Sequence, residues 1–202
     1  WTMSSALVGC LLGALVSGML TDRFGRKRLL VCSGFLFTIS AIGTGAVNHV
    51  MLFNIFRIIG GIGIGLASNL SPMYIAEISP AATRGKFVSI NQLTVVIGIL
   101  AAQIVNWLIA QPVPDDATAD MIRQSWNGLT GWRWMFWAET LPAFSFFLLM
   151  FFVPESPRWL VKMGCNQKAQ AILARVGGND YAQAEVADIK ATLAQQEIAR
   201  VH

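Results

Sequence analysis

Residues 29–76 read LLVCSGFLFTISAIGTGAVNHVMLFNIFRIIGGIGIGLASNLSPMYIA and carry one charge, Arg57. As a single helix they would rise about 72 Å at about 1.5 Å per residue, more than twice a bilayer core of about 30 Å. The polar pair in the middle is Asn48-His49, so the stretch divides there into two crossings. Working outward, residues 3–21 and 87–110 contain no charge at all. Uncharged apolar runs of roughly 18 residues or more read as membrane spans. A further run over 132–153 is mostly aromatic and aliphatic and carries Glu139 and Pro142. The expectation is an all-α polytopic membrane helix bundle with five transmembrane helices, near 3–21, 29–47, 51–73, 87–110 and 132–153.

Composition excludes the alternatives. Of 202 residues 54% are hydrophobic and 13% charged, against about a quarter charged in a soluble domain. Cys10, Cys32 and Cys165 are too scattered for a disulfide framework, and no Cys/His cluster points to a metal. The chain opens at Trp1 without a methionine and stops at His202 in a polar tail, so a piece of a longer protein is expected. Residues 3–21 lack a basic leader and a cleavage site, so no signal peptide is read there.

The loops alternate in charge. One set holds Arg23, Arg26, Lys27, Arg28, Arg84, Lys86, Arg158, Lys162 and Lys168; the other holds His49, Asp115, Asp116, Asp120 and Arg123. Positively charged loops stay in the cytoplasm, which puts Trp1 outside and residues 154–202 inside. The outer segment 111–131 reads as an exposed polar loop, with the aromatics of Trp132-Arg133-Trp134 at the interface. Residues 154–202 read as a cytoplasmic helical linker. Its first helix spans 166–176, with Ala169, Ile172, Leu173 and Val176 on one side, and ends at Gly177-Gly178. A second helix covers 182–200.

Small residues recur at helical spacing: Gly9/Gly13, Ser17/Gly18 and Gly61/Gly65. They let membrane helices approach closely. The run Gly60–Gly65 has GxGxG spacing and no preceding strand, so it is not a dinucleotide fingerprint, and no Walker A motif supports an ATP-driven pump. Arg57 lies about two turns into the third span. It either snorkels to the outer interface or faces a partner in the bundle. No acid of this chain is expected as its partner at that depth, and Glu139 carries little weight. Arg23, Arg26, Lys27, Glu77, Arg84, Glu155 and Arg158 ring the inner ends of the spans. They form either a solvated rim or a set of salt bridges that hold one conformation. In the fourth span Gln92, Ile99, Gln103 and Asn106 share one face within about 60°. These amides either bond between helices or line a polar path suited to a neutral polyhydroxyl solute.

Several blocks together resemble the sugar porters of the major facilitator superfamily. They are Gly18–Arg28 (GMLTDRFGRKR), Arg57–Gly65 (RIIGGIGIG), Tyr74–Pro80 (YIAEISP) followed by Arg84-Gly85, Asn91-Gln92-Leu93 with Gly98, Gly131–Met135 (GWRWM) and Pro154–Leu160 (PESPRWL). The resemblance covers nearly the whole chain and is nearest to bacterial proton-coupled importers of xylose and hexoses. It implies helices two to six of a twelve-helix protein plus the start of the central linker, with the first helix and the C-terminal six-helix half as partners outside this chain. It implies a monosaccharide substrate, alternating access, the bacterial inner membrane, no cofactor and H+ as coupling ion. By the same resemblance Gln92 holds the sugar and Ile99 faces it, and Gln103 shares their face. Arg57 serves proton coupling by pairing with a first-helix aspartate. Arg26, Lys27, Glu77, Arg84, Glu155 and Arg158 form the intracellular network, with Arg23 beside them.

Rival functions are also open: a facilitative sugar uniporter, a non-transporting sugar receptor, the same fold carrying an organic acid, or an intramembrane enzyme. The enzyme lacks support, since neither HExxH nor a Ser/His pair appears and the histidines are His49 and His202. Nothing points to nucleic acid.

Overall fold

The computed structural model describes residues 2, 4–114 and 118–201. The expected positions of Trp1, Asp115, Asp116 and His202 lie outside the described residues, as does the start of the first span at Met3. Among the described residues every regular element is helical, and five helices are long and apolar enough to cross a membrane. They are α1 (Ser5–Phe24), α2 (Arg26–Ala46), α3 (Val50–Ile78), α4 (Arg84–Ile109) and α6 (Trp132–Phe152).

Glycine placement explains the packing. The close approach of α1 to α3 is made by Gly9 and Gly13, where a Cβ would overlap the carbonyl oxygens of Ile58 and Ile62. In return Gly61 and Gly65 sit against Ala6 and Cys10. The other two glycines of the run face α2: Gly60 meets Ser40 and Gly63 meets Phe37. Thus α3 carries two glycine seams, one for each neighbour. Polar side chains lock both seams, since Asn69 Nδ2 donates to Ser17 Oγ at 2.9 Å and Ser40 Oγ donates to the Phe56 carbonyl at 2.8 Å. Gly18 departs from the expected pattern, because its Cβ position is open.

The bundle continues with α2 against α6. Leu29, Leu30, Leu66, Leu70 and Met150 form its buried core at the inner end. At the outer end Arg133 donates to the Gly45 carbonyl at 3.3 Å and to Asn48 Oδ1, serving the free C-terminal carbonyls of α2. Helix α4 buries none of its residues and touches α3 and α6 only along part of its length.

The outer segment is not simply a loop. It contains α5 (Ala119–Gln124) and a π-helical turn, Asn127–Gly131, that runs directly into α6. Asn127 closes it by bonding both the N–H and the carbonyl of Gln111, at 2.9 and 2.7 Å.

Beyond Phe152 come α7 (Pro157–Lys162), α8 (Asn166–Gly177) and α9 (Asn179–Val201). The PESPRWL block forms α7, a short helix with Pro157 at its start. Leu160, Val161, Ala169, Leu173, Ala182, Val186 and Ile189 give these three helices a core of their own. Val176, expected on the same side, is exposed.

Candidate functional site

Two constellations assemble at different depths. The first is the inner ring. Arg26 Nη2 pairs with Glu77 Oε1 at 2.8 Å, with side chains only 9% and 10% exposed. Ser156 Oγ donates to the other Glu77 oxygen, and Arg26 Nη1 donates to the Thr21 carbonyl at 3.3 Å. Glu155 does something different from pairing with an arginine. Its Oε1 accepts the backbone N–H groups of Arg26, Lys27 and Ser156 at 2.9, 3.0 and 2.9 Å. A carboxylate from the end of α6 therefore caps the N-terminus of α2, where unsatisfied donors and the helix dipole favour an anion. Gly25 makes room for it. Its backbone lies at φ +88°, ψ 169°, a region essentially restricted to glycine. A Cβ there would meet Glu155 Oε2 at 2.6 Å.

The remaining ring residues stand apart from this pair. Lys27 Nζ donates to the Phe151 carbonyl at 2.8 Å. Arg158 lines a cavity of about 610 Å³ with Arg26 and Glu77 but makes no ion pair among the described residues. Arg23 stacks on Phe24, its Cζ 5.5 Å from the ring centroid. Arg84 is exposed at the start of α4, on the side of α9. There burial chiefly, with help from Glu185, pushes the Tyr181 phenol up, while the Arg84 charge opposes the shift. Sequence reasoning missed Ser156, Tyr74, whose Oη donates to the Pro154 carbonyl at 2.8 Å, and the Lys162–Asp22 pair at 3.2 Å. Hydroxyls that bond across helices leave no signature in spacing.

The second constellation lies within the bundle. A cavity of about 1030 Å³ opens between α3, α4 and α6. Gln92 and Ile99 both line it; Gln103 is exposed on α4 and is not among its lining residues. Ser71 and Asn91 join its walls, the Ser71 hydroxyl donating to Asn91 Oδ1 at 3.0 Å. Pro72 of α3 and Pro142 of α6 also line it. Each removes a helical donor and frees a carbonyl one turn earlier, at Ser68 and Ala138. Broken backbone bonding at membrane depth is tolerated where it borders a cavity.

Glu139 links this cavity to Arg57. It lines the large cavity and also a small one of about 30 Å³ that it shares with Arg57, Gly60, Gly61, Ser40 and Thr44. Thr44 Oγ1 is buried there without a protein partner. A polar space of that size holds a water molecule. Arg57 also stacks on Phe136, 5.5 Å from its centroid, and borders an outer cavity of about 450 Å³. The structure thus sets Glu139 in the same small cavity as Arg57, although the two make no ion pair among the described residues. They are 82 residues apart, so only the packing of α3 beside α6 brings them together.

The family described as "Sugar (and other) transporter" matches residues 1–201. The D-xylose-proton symporter of Escherichia coli K12 is 42% identical over 209 residues, covering 95% of this chain and 41% of its own length. The glucose transport protein of Synechocystis is 42% identical over 193 residues, covering 95% of this chain and 40% of its own length. Among solved structures, the major facilitator superfamily proton:xylose symporter XylE bound to 6-bromo-6-deoxy-D-glucose matches with a TM-score of 0.86 at 41% identity, over 96% of this chain and 43% of that one. The chain belongs to the sugar transporter family and has the major facilitator fold. It is an integral membrane protein of a transporter family, not of an enzyme family, and it spans about two fifths of the length of the relatives it matches.

Proposed function

We propose that this chain is the N-terminal part of a secondary transporter that moves a neutral monosaccharide, a pentose or hexose, by alternating access with proton symport. One observation carries the reading. Gln92 lines a large cavity that shares Glu139 with the small polar cavity of Arg57. An uncharged amide donor and acceptor suits a sugar hydroxyl, and a carboxyl beside a guanidinium suits a proton that comes and goes. The names of the relatives, a xylose-proton symporter and a glucose transport protein, support the substrate class and the coupling ion.

In this mechanism Gln92 and Ile99 supply one wall of the sugar site, and a six-helix second half supplies the other. The halves rock about the site near the midplane. Protonation of Glu139 loosens its attraction to Arg57, so proton and sugar occupancy favour the same conformation. Arg26, Glu77, Ser156 and Glu155 hold the inner ends of α1, α2, α3 and α6 together when the cytoplasmic side is closed. Nine cationic loop residues at that end against one at the other support a cytoplasmic placement for residues 154–202, with the bacterial inner membrane as location.

Gln92→Ala in the full-length protein tests the site. Removing the amide leaves a buried sugar hydroxyl unpaired, which costs about 1–3 kcal/mol, or roughly 5- to 150-fold in affinity. Calorimetric titration with xylose and glucose reads this directly. Unchanged affinity for every sugar that binds the wild type contradicts the placement.

A further inference from the structure

A further basic feature adjoins the inner ring, sharing Lys27 and Glu155 with it. A groove of about 790 Å³ runs between the start of α2 and the linker helices, and its cations are Lys27, Arg28, Lys168 and Arg175. The α8 residues Lys168, Ala171, Ile172 and Arg175 follow helical spacing and all face the groove, while Ala169 and Leu173 on the other side fill the linker core. The single acid in the groove, Glu155, has Oε1 engaged by three backbone N–H groups. Arg28, Lys168 and Arg175 make no ion pair among the described residues. The groove is therefore a cationic socket with no counter-charge equal to it.

Its upper rim meets the membrane surface of the α2–α6 pair. Lys27 Nζ is tied to the Phe151 carbonyl, and Phe151 and Phe152 are 53% and 86% exposed. From there an aromatic track climbs the outside of the pair, Phe151 to Phe147 at 5.1 Å and Phe147 to Phe35 at 5.9 Å between centroids. Phe35 is half-exposed and about 200° around the helix from Phe37, which faces the Gln92 cavity. The track thus points away from the transport pathway. A soluble anion would use the cations alone; a cationic socket continuous with an exposed apolar track matches an anionic amphiphile.

We propose that this groove seats the headgroup of an anionic glycerophospholipid of the adjacent leaflet. Its phosphate is held by Arg28, Lys168 and Arg175, and its acyl chains lie along Phe151, Phe147 and Phe35. Guanidinium groups grip phosphate oxygens in pairs, and basic pockets beside transmembrane helices recruit acidic headgroups. The lipid bridges α2 and α8 and so fastens the linker to the bundle. The proposal rests on the membrane placement of the helices and is independent of the transported solute.

Native mass spectrometry of the full-length protein tests it, using dioleoyl phosphatidylglycerol and dioleoyl phosphatidylcholine as probes. The wild type is expected to retain one phosphatidylglycerol with a preference of about fivefold or more over phosphatidylcholine. Arg28→Gln/Lys168→Gln/Arg175→Gln removes the preference while leaving phosphatidylcholine retention unchanged, and Arg28→Lys/Arg175→Lys keeps it. In the wild type, rising salt weakens the preference. Equal retention of the two lipids by the wild type, or a preference that survives in the triple variant, overturns the proposal. Displacement of phosphatidylglycerol by an equal concentration of inorganic phosphate overturns it too, since the site would then be one for a soluble anion.

Discussion

Glu77→Ala in the full-length protein is expected to open the cytoplasmic side and abolish net transport. The Arg26–Glu77 pair is nearly fully buried, and Arg26 Nε already has no partner. Removing the carboxylate leaves a desolvated guanidinium without compensation, a loss of about 3–5 kcal/mol. It also strips Ser156 Oγ of its acceptor, freeing the α6–α7 turn. Two conformations of a transporter differ by only a few kcal/mol. A loss of about 3 kcal/mol from one of them changes their ratio by roughly 150-fold. Spin labels placed at the inner end of α1 and on the cytoplasmic face of the second half are expected to report the long distance almost exclusively. Arg26→Met/Glu77→Leu removes both charges together and recovers much of the stability, because the unpaired charge does the damage. A single variant that keeps the short distance and full uptake would show that the pair is a bystander.

Gly61→Val is expected to prevent correct assembly of the bundle. The first added carbon overlaps the Ala6 carbonyl and comes within 2.9 Å of the Cys10 backbone nitrogen. Both obstacles are backbone, so no side-chain rotation relieves them, and α1 must move off α3. Overpacking a core costs about 1–3 kcal/mol when side chains can shift; here the loss is expected at or beyond the upper end. The measurement is the folded fraction and melting temperature of the detergent-extracted full-length protein. Gly18→Ala is the control, since its Cβ position is open and alanine favours helix by about 1 kcal/mol. Equal melting of Gly61→Val and wild type would contradict the glycine-seam packing.

The glycine seams also show how far sequence reasoning reached. Spacing alone identified Gly9, Gly13, Gly61 and Gly65 as close-packing residues, because helical periodicity fixes which residues share a face. It did not reveal that Gly60 and Gly63 serve a second neighbour, and it wrongly included Gly18. Which face meets which helix depends on the order of packing, and no local pattern encodes that. The five crossings emerged from long apolar runs with few or no charges, a property with a direct physical threshold. The outer helix α5 and the π-helical entry to α6 did not, since the polar residues around Pro112 and Pro114 signal a loop even where helical turns lie just beyond them.

The sites divide the same way. Gln92 and Ile99 lie seven residues apart on one helix, so their common face was legible, and both line the large cavity. Gln103 shares the angular position but lies a turn further along α4 and is not among the cavity's lining residues. Arg26 and Glu77 were visible as a ring of charge, but their direct contact depends on the turn at Gly25. The nearness of Glu139 to Arg57 was not legible, because it joins side chains on two different helices. Glu155 was expected in a salt bridge and instead caps α2, a role that charge counting cannot distinguish from pairing.

The central claim is proton-coupled monosaccharide transport with Arg57 and Glu139 in the coupling. The measurement that tests it most directly is uptake of labelled xylose and glucose by the full-length protein in proteoliposomes, with and without an inward proton gradient, beside Glu139→Gln. Symport predicts that the gradient drives accumulation above equilibrium in the wild type, and that the variant only equilibrates sugar. Uptake indifferent to the gradient in both proteins would contradict it, leaving a facilitator in which Arg57 and Glu139 only pack.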